Sequence, residues 1–303
     1  MRKWAPNSRQ FILRGLGTLL AIALIFILVK EEGWDQVRDA FRELTMTRFL
    51  AGLGLMLISR LFVATRWYVL LRSGRVDISY SRASMLTFTG LFATNFLPTT
   101  IGGDVVRLAG AMQMGYDRAV CLASIAADRL IGMLGMMFVL PFGLPAILSQ
   151  VSQPGLQAGA FMNFAGRSMN FARRTLQTFS IWLKQPAALL ASLGCSFGHM
   201  LCTFGALYIL IEGLGSHVSF WLIGGLWGVA YFVTLIPISI NGFGVQELSL
   251  TYLFSTAGGL NATTSLAVAV MIRILFMISS LPGAASLPSI LAAMDKSAPA
   301  AGK

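Results

Sequence analysis

Charge is what this chain has least of. Only 12% of its 303 residues are Asp, Glu, Lys or Arg, against about 25% in a soluble domain. A sequence so poor in charge cannot coat a globular surface, and a sizeable soluble domain is excluded. Histidine is nearly missing, with His199 and His217 alone. No His-Glu-x-x-His, Gly-x-Ser-x-Gly or P-loop pattern occurs, and no acidic cluster has metal-ligand spacing. The chain is therefore expected to be no enzyme, with no catalytic residue, metal or cofactor. Its three cysteines, Cys121, Cys195 and Cys202, lie inside apolar runs. An odd number within helices argues against a disulfide framework, and they read as small packing residues.

What the chain has is apolar length. It is 56% hydrophobic, with a mean hydropathy of +0.73. The expectation is an all-α polytopic membrane protein of about seven or eight spans, one integral domain over 1–303. The bases Arg2, Lys3, Arg9 and Arg14 precede an apolar run, and no small-residue cleavage site follows it. Residues 11–29 thus read as an uncleaved first span with a cytoplasmic N-terminus. The excess of 23 bases over 12 acids fits inner loops and anionic head groups, not nucleic acid. The location expected is the plasma (inner) membrane.

Phe49–Leu71 forms the second span, with Arg60 near mid-length. Ala119–Leu148 forms another, with Asp128-Arg129 inside it and a kink expected between Pro141 and Pro145. Residues 150–185 carry Arg167, Arg173, Arg174 and Lys184 without an acid, a basic amphipathic linker on the inner surface. A weak extra span near Gly155 is an alternative for its first part. Ala187–Ile211 contains His199, and Ser265–Leu281 contains Arg273. A lone helix histidine is more often a hydrogen-bonded interior residue than a ligand. Asn261-Ala-Thr263 matches a glycosylation acceptor pattern, a common three-residue coincidence.

Two stretches interrupt this pattern. One runs Asn95-Phe-Leu-Pro-Thr-Thr-Ile-Gly-Gly-Asp-Val-Val-Arg107. The other runs Pro237-Ile-Ser-Ile-Asn-Gly-Phe-Gly-Val-Gln-Glu247. Sliding by 139 positions lays Pro237 on Pro98, Ile240 on Ile101, Gly242 on Gly103 and Val245 on Val106. The same slide lays His199 on Arg60. Each stretch sits between short apolar pieces, too short to span alone at roughly 20 residues per crossing. Two related halves are expected, about 49–148 and about 187–290. Each has a helix broken by Pro and Gly, crossing in two pieces or re-entering as a hairpin. Such irregular backbone must face protein or a water-filled cavity, and repeated, broken helices are a transporter signature.

The candidate binding residues follow. Helix starts at the breaks expose unpaired N–H groups and a positive dipole end. Gly102, Gly103, Gly242 and Gly244 permit close backbone approach, or merely tight packing. Asn95, Thr99, Thr100, Ser239 and Asn241 supply hydroxyls and amides, and Pro98 and Pro237 break the helices. Asp104, Arg107, Asp128, Arg129, Glu247 and Arg273 lie in or beside apolar segments. Each would cost about 2.5–3.5 kcal/mol at the centre of an isolated span, so they must pair. They read as an ion-pair lattice that fixes the fold, or one that opens to a head group.

The same pieces resemble a known family, the transmembrane flippase-like region of lysylphosphatidylglycerol synthases. The likeness spans roughly residues 10–290. It rests on Asn95 to Arg107, Asp128-Arg129-Leu130, Pro237 to Glu247, and Arg273 with Leu281-Pro-Gly283. The resemblance implies transbilayer movement of a polar-headed lipid: a phospholipid, a lipid-linked sugar or a hopanoid. It implies membrane lipids as partners, and an accompanying lipid-modifying enzyme is a further candidate. The soluble aminoacyl-transferase domain of bifunctional relatives is not expected. Gln246 stands where many relatives carry arginine. The alternatives are a non-transporting scaffold for a lipid-modifying enzyme, or a small-solute exporter.

Overall fold

The computed structural model describes residues 38, 42–95, 102–150, 185–235, 242–288 and 290. The expected first span 11–29, the linker beyond residue 150 and the tail beyond 290 lie outside these residues. All described secondary structure is helical. The helices are α1 (Met46–Ser73), α2 (Tyr80–Thr94), α3 (Gly102–Gln113), α4 (Arg118–Leu148), α5 (Pro186–Gly213), α6 (Phe220–Thr234), α7 (Val245–Thr256) and α8 (Ala262–Ser280), closed by a 3-10 turn, Leu281–Ala285. Among the described residues four stretches are long and apolar enough to cross a membrane: Met46–Ser73, Arg118–Leu148, Pro186–Gly213 and Ala262–Ala285. The bundle turns large apolar side chains outward, Leu50, Leu122, Phe138, Leu190 and Tyr252 among them. The chain is an integral membrane protein, and these faces meet lipid.

The local signals that bound the helices recur in both halves. Ser79 and Ser219 stand before α2 and α6 as N-caps. Asp117 accepts the Val120 amide at the start of α4 (2.9 Å), and Asn261 accepts that of Thr264 at the start of α8 (2.6 Å). Such short polar caps satisfy amides the first turn leaves orphaned. The Asn261 side chain is thus a helix cap. Beyond α1 and α5 the chain turns left-handed at Arg75 (φ 63°) and Gly215 (φ 69°). There Val76 donates to the Leu71 carbonyl, as Ser216 does to that of Ile211, the closing bond of a Schellman turn. Gly115 (φ 82°) and Gly259 (φ 72°) repeat the device after α3 and α7.

These pairs correct the sequence register by one. Arg75 and Gly215 are 140 positions apart, and so are the starts of α1 and α5 and of α2 and α6. After the breaks the spacing grows, to 144 for Gly115 and Gly259. The residue equivalent to His199 is therefore Ser59, not Arg60. The offset of 139 aligned the glycine-rich stretches alone and matches the helices on neither side of them, which lie 140 apart before and 143 to 144 apart after. Both prolines of the expected kink, Pro141 and Pro145, lie within a continuous α4.

Packing reveals how the halves are joined. Along the α1–α5 seam, Gly213 meets Leu44, Gly205 meets Leu55 and Gly198 meets Phe62. The Gln185 amide reaches the Ser73 carbonyl at 2.9 Å. One index rises as the other falls, so α1 and α5 are antiparallel. At mid-seam Ser59 touches His199. Equivalent residues touch where an exchange axis passes between them, and that axis lies across the helices. The repeat is therefore inverted.

The breaks make helical hairpins. Gly103 lies against Thr94 and Gly90, Arg107 against Gly90, and Gly110 against Leu86. Arms α2 and α3 thus run antiparallel, and the Tyr116 hydroxyl donates to the Asp77 carbonyl where their outer ends meet (3.3 Å). In the second hairpin Gly242 lies against Thr234, next to the tip. The first hairpin starts beside the C-terminal half of α1, where Tyr80 meets Tyr68 and Thr65. The second starts beside the C-terminal half of α5, where Phe220 packs on Phe204 and Tyr208. Because α1 and α5 are antiparallel, the hairpins enter from opposite ends, and the inner ends of α2 and α6 converge on one cavity, which Asn95 and Leu235 both line.

Each half also embraces the other's hairpin. Helix α4 packs on α6, with Gly143 and Gly225 in backbone contact, while Gly283 of the 3-10 turn packs on the Phe88 carbonyl of α2. Leu148, at the end of α4, and Pro186, at the start of α5, lie at opposite ends of the bundle.

Candidate functional site

A polar chain is buried in the first half. Asp128 is 3% exposed and bridges two bases, accepting from Arg66 Nε at 2.7 Å and Arg107 Nη1 at 3.1 Å. Arg107 also reaches Asp104 (3.3 Å), and Asp104 accepts from Arg129 Nε. The Arg107 guanidinium lies 4.1 Å over the Trp67 ring, and Trp67 donates to Ser124 at 3.1 Å. Arg66 also donates to Ser196 of α5 at 2.9 Å. Four helices, α1, α3, α4 and α5, are tied by this chain. Buried charge demands such pairing, because an ion without partners loses its hydration uncompensated.

The second half carries a shorter version. Glu247 accepts from Arg273 Nε and, at 2.8 Å, from the Gly244 amide at the start of α7. Arg273 also reaches the Gly242 carbonyl at 3.4 Å and lies 4.7 Å over Phe243. Gly242 (φ 70°) and Gly244 (φ 78°) hold left-handed backbone that side chains disfavour. The Asp104–Arg129 and Glu247–Arg273 pairs are equivalent: each joins the returning arm of a hairpin to the helix that follows.

Between the halves lies a cavity of about 280 Å³, at the inner ends of α2 and α6. Its walls include Arg60, Asn95, Arg129, His199, Tyr231, Gln246 and Arg273. They come in equivalent pairs: Arg129 with Arg273, Thr94 with Thr234, Asn95 with Leu235. The cavity thus straddles the exchange axis. Asn95 donates to Ser280 at 2.9 Å. No carboxylate lines it among the described residues.

Of the residues expected at a site, Asn95, Arg129 and Arg273 face this cavity. Arg107 and Asp128 do not; they lie behind it. Asp104 and Glu247 hold the lining arginines in place. Gly102 is buried at the start of α3, and Gly103 packs against Gly90 and Thr94, so the first-hairpin glycines serve helix packing. Pro98, Thr99, Thr100, Pro237, Ser239 and Asn241 lie outside the described residues.

Sequence reasoning left Arg60, Arg66 and His199 off the candidate site. Arg60 is 8% exposed. Its Nε donates to Ser279 at 3.2 Å and its guanidinium lies 4.6 Å over Phe276. The signal available was its mid-span position, since a base there needs a reason. Gln246, where arginine was expected, does line the cavity. Among the described residues no group of three His, Cys, Asp or Glu is placed to hold a metal.

A comparison with curated proteins gave no match. A family model described as the lysylphosphatidylglycerol synthase TM region matches residues 15–169 and 157–283. Those stretches take in both hairpins, Arg60, Arg66, Arg107, Arg129 and Arg273, and the cavity between them, so the chain belongs to the lysylphosphatidylglycerol synthase transmembrane-region family.

Proposed function

We propose that this protein moves a polar-headed lipid, such as a phospholipid, a lipid-linked sugar or a hopanoid, between bilayer leaflets. The observation that carries this reading is the cavity at the inner ends of α2 and α6. A space of about 280 Å³ suits a head group and not acyl chains, which would trail in the surrounding lipid. On this reading both hairpins are re-entrant, one from each side, and the cavity between the inner ends of their arms lies at the midplane. The family's link to a lipid synthase supports a lipid substrate. The inverted halves offer the two faces of such a protein equivalent routes to one site. The end bearing Arg72, Arg75, Arg82 and Arg118 faces the cytoplasm on this reading.

The test is reconstitution in liposomes with an acyl-labelled fluorescent phospholipid and dithionite quenching. Wild type is expected to raise the quenched fraction above the roughly half seen in empty liposomes. Quenching equal to empty liposomes for phospholipid, glycolipid and hopanoid probes alike would remove the reading and favour a scaffold. Movement of a trapped soluble anion instead would favour a solute exporter.

A further inference from the structure

The five arginines in and around the cavity are unequal. Arg66 and Arg107 share Asp128, Arg129 is held by Asp104, and Arg273 by Glu247. Arg60 faces no carboxylate among the described residues. Its Nε meets a neutral hydroxyl and its face meets a phenyl ring. Its two terminal nitrogens make no hydrogen bond to a described residue, and they sit on the cavity wall. Together the five arginines and the three acids Asp104, Asp128 and Glu247 leave an excess of two positive charges around this space. Arg107 also has donors without a partner, at Nε and Nη2, but it faces two carboxylates and does not line the cavity. A buried cation that lines a cavity and faces no carboxylate is a site for an anion.

We propose that Arg60 anchors the head group and selects lipids whose head group is net negative, seating a phosphate on its guanidinium. The inference rests on the lipid-moving reading above and adds the charge class of the substrate. The planar fork of arginine matches two phosphate oxygens at once. Arg129 and Arg273 border the same space from equivalent positions of the two halves. Asn95, Gln246 and Tyr231 offer amide and hydroxyl groups to the remainder of the head group. A lysylated head group fits this site badly. It brings two ammonium groups for one phosphate, against three lining arginines and no acid. The lipid in the family's description is thus not the lipid this cavity selects.

The experiment compares five acyl-labelled lipids in phosphatidylcholine liposomes. They are phosphatidic acid, phosphatidylglycerol, phosphatidylcholine, lysylated phosphatidylglycerol and a neutral glycolipid. Wild type, Arg60→Gln and Arg60→Lys are assayed by dithionite quenching. Wild type is expected to move the two anionic lipids about tenfold faster than the lysylated one, as like charge at close range dictates. Arg60→Gln is expected to erase that preference, and Arg60→Lys to keep part of it. Equal rates for all five lipids would overturn the selection and leave the lipid-moving reading standing. No movement of any lipid would remove both. A preference that survives in Arg60→Gln would overturn the role of Arg60.

Should Arg60→Gln fail to elute as a single species, unfolding of wild type in detergent decides. Short-chain phosphatidic acid is expected to raise the midpoint and inorganic phosphate alone to leave it unchanged. An equal rise with inorganic phosphate would overturn a lipid as the source of the anion. No rise with phosphatidic acid would overturn the anion site.

Discussion

At the scale of single residues, Asp128 is the position on which most depends. Like Asp104 it faces two arginines, here Arg66 and Arg107, and it is the more deeply buried of the two acids. Replacing it with Asn leaves the buried Arg66 facing no carboxylate among the described residues and Arg107 with Asp104 alone. Breaking a buried pair in this way costs about 3–5 kcal/mol. Arg107→Met removes one base and leaves Asp128 with Arg66 and Asp104 with Arg129, so its cost is smaller. Thermal unfolding of the purified protein in detergent is expected to rank wild type above Arg107→Met and Arg107→Met above Asp128→Asn; the reverse order of the two variants would refute this account of the network. Most of these residues were legible in the sequence, because an ion inside an apolar run has to be explained. Their partners were less so. Arg60 meets Ser279, 219 positions away, and an uncharged partner at that separation leaves no pattern to read. The division between lining and supporting residues was equally hidden, since Arg107 and Arg129 look alike until the fold turns one outward.

At the scale of elements, the hairpins decide the topology. Their short arms and the Pro-Gly breaks were visible in the sequence, but length alone does not separate a broken crossing from a hairpin. The contacts of Gly103 with Gly90 and of Gly110 with Leu86 separate them. Arg82 and His217, both exposed, mark the opposite ends from which the hairpins start. Single cysteines there, in a cysteine-free background, are expected to react with an impermeant maleimide from opposite sides of sealed vesicles. Labelling of both from one side would mean that the halves are parallel. The junctions between halves make a second prediction. A methyl group on Gly143 would come within 2.4 Å of the Gly225 backbone, whereas one on Gly194 would meet nothing within 4 Å. Backbone cannot step aside as a side chain can, and overpacking costs about 1–3 kcal/mol. Gly143→Ala is therefore expected to lower the unfolding midpoint, and Gly194→Ala to leave it unchanged or raise it.

At the scale of the molecule, the two halves match in backbone and differ in how tightly their hairpins are tied. An inverted repeat can open to either side by exchanging the conformations of its halves, provided both hairpins can move. Here the first is held by Asp104 and Arg107 of α3, through Asp128 and Arg129 of α4, to Arg66 of α1. The second is held by ion pairing only through Glu247 and Arg273, among the described residues. The structural counterparts of Arg107 and Asp128 are the apolar Leu250 and Ile272, which carry no charge to share. Separating the first hairpin therefore breaks several coupled buried contacts at once, and separating the second breaks one. Local opening follows the weakest set of contacts, so the second hairpin is expected to open more readily than the first. Hydrogen exchange in detergent tests this: amides of α7 (Val245–Thr256) are expected to exchange faster than those of α3 (Gly102–Gln113), helices of equal length. Glu247→Gln should widen the gap, and Asp128→Asn should narrow it by freeing α3. Equal protection in the wild type, or a gap unmoved by either change, would show that the ion pairs do not set which half moves.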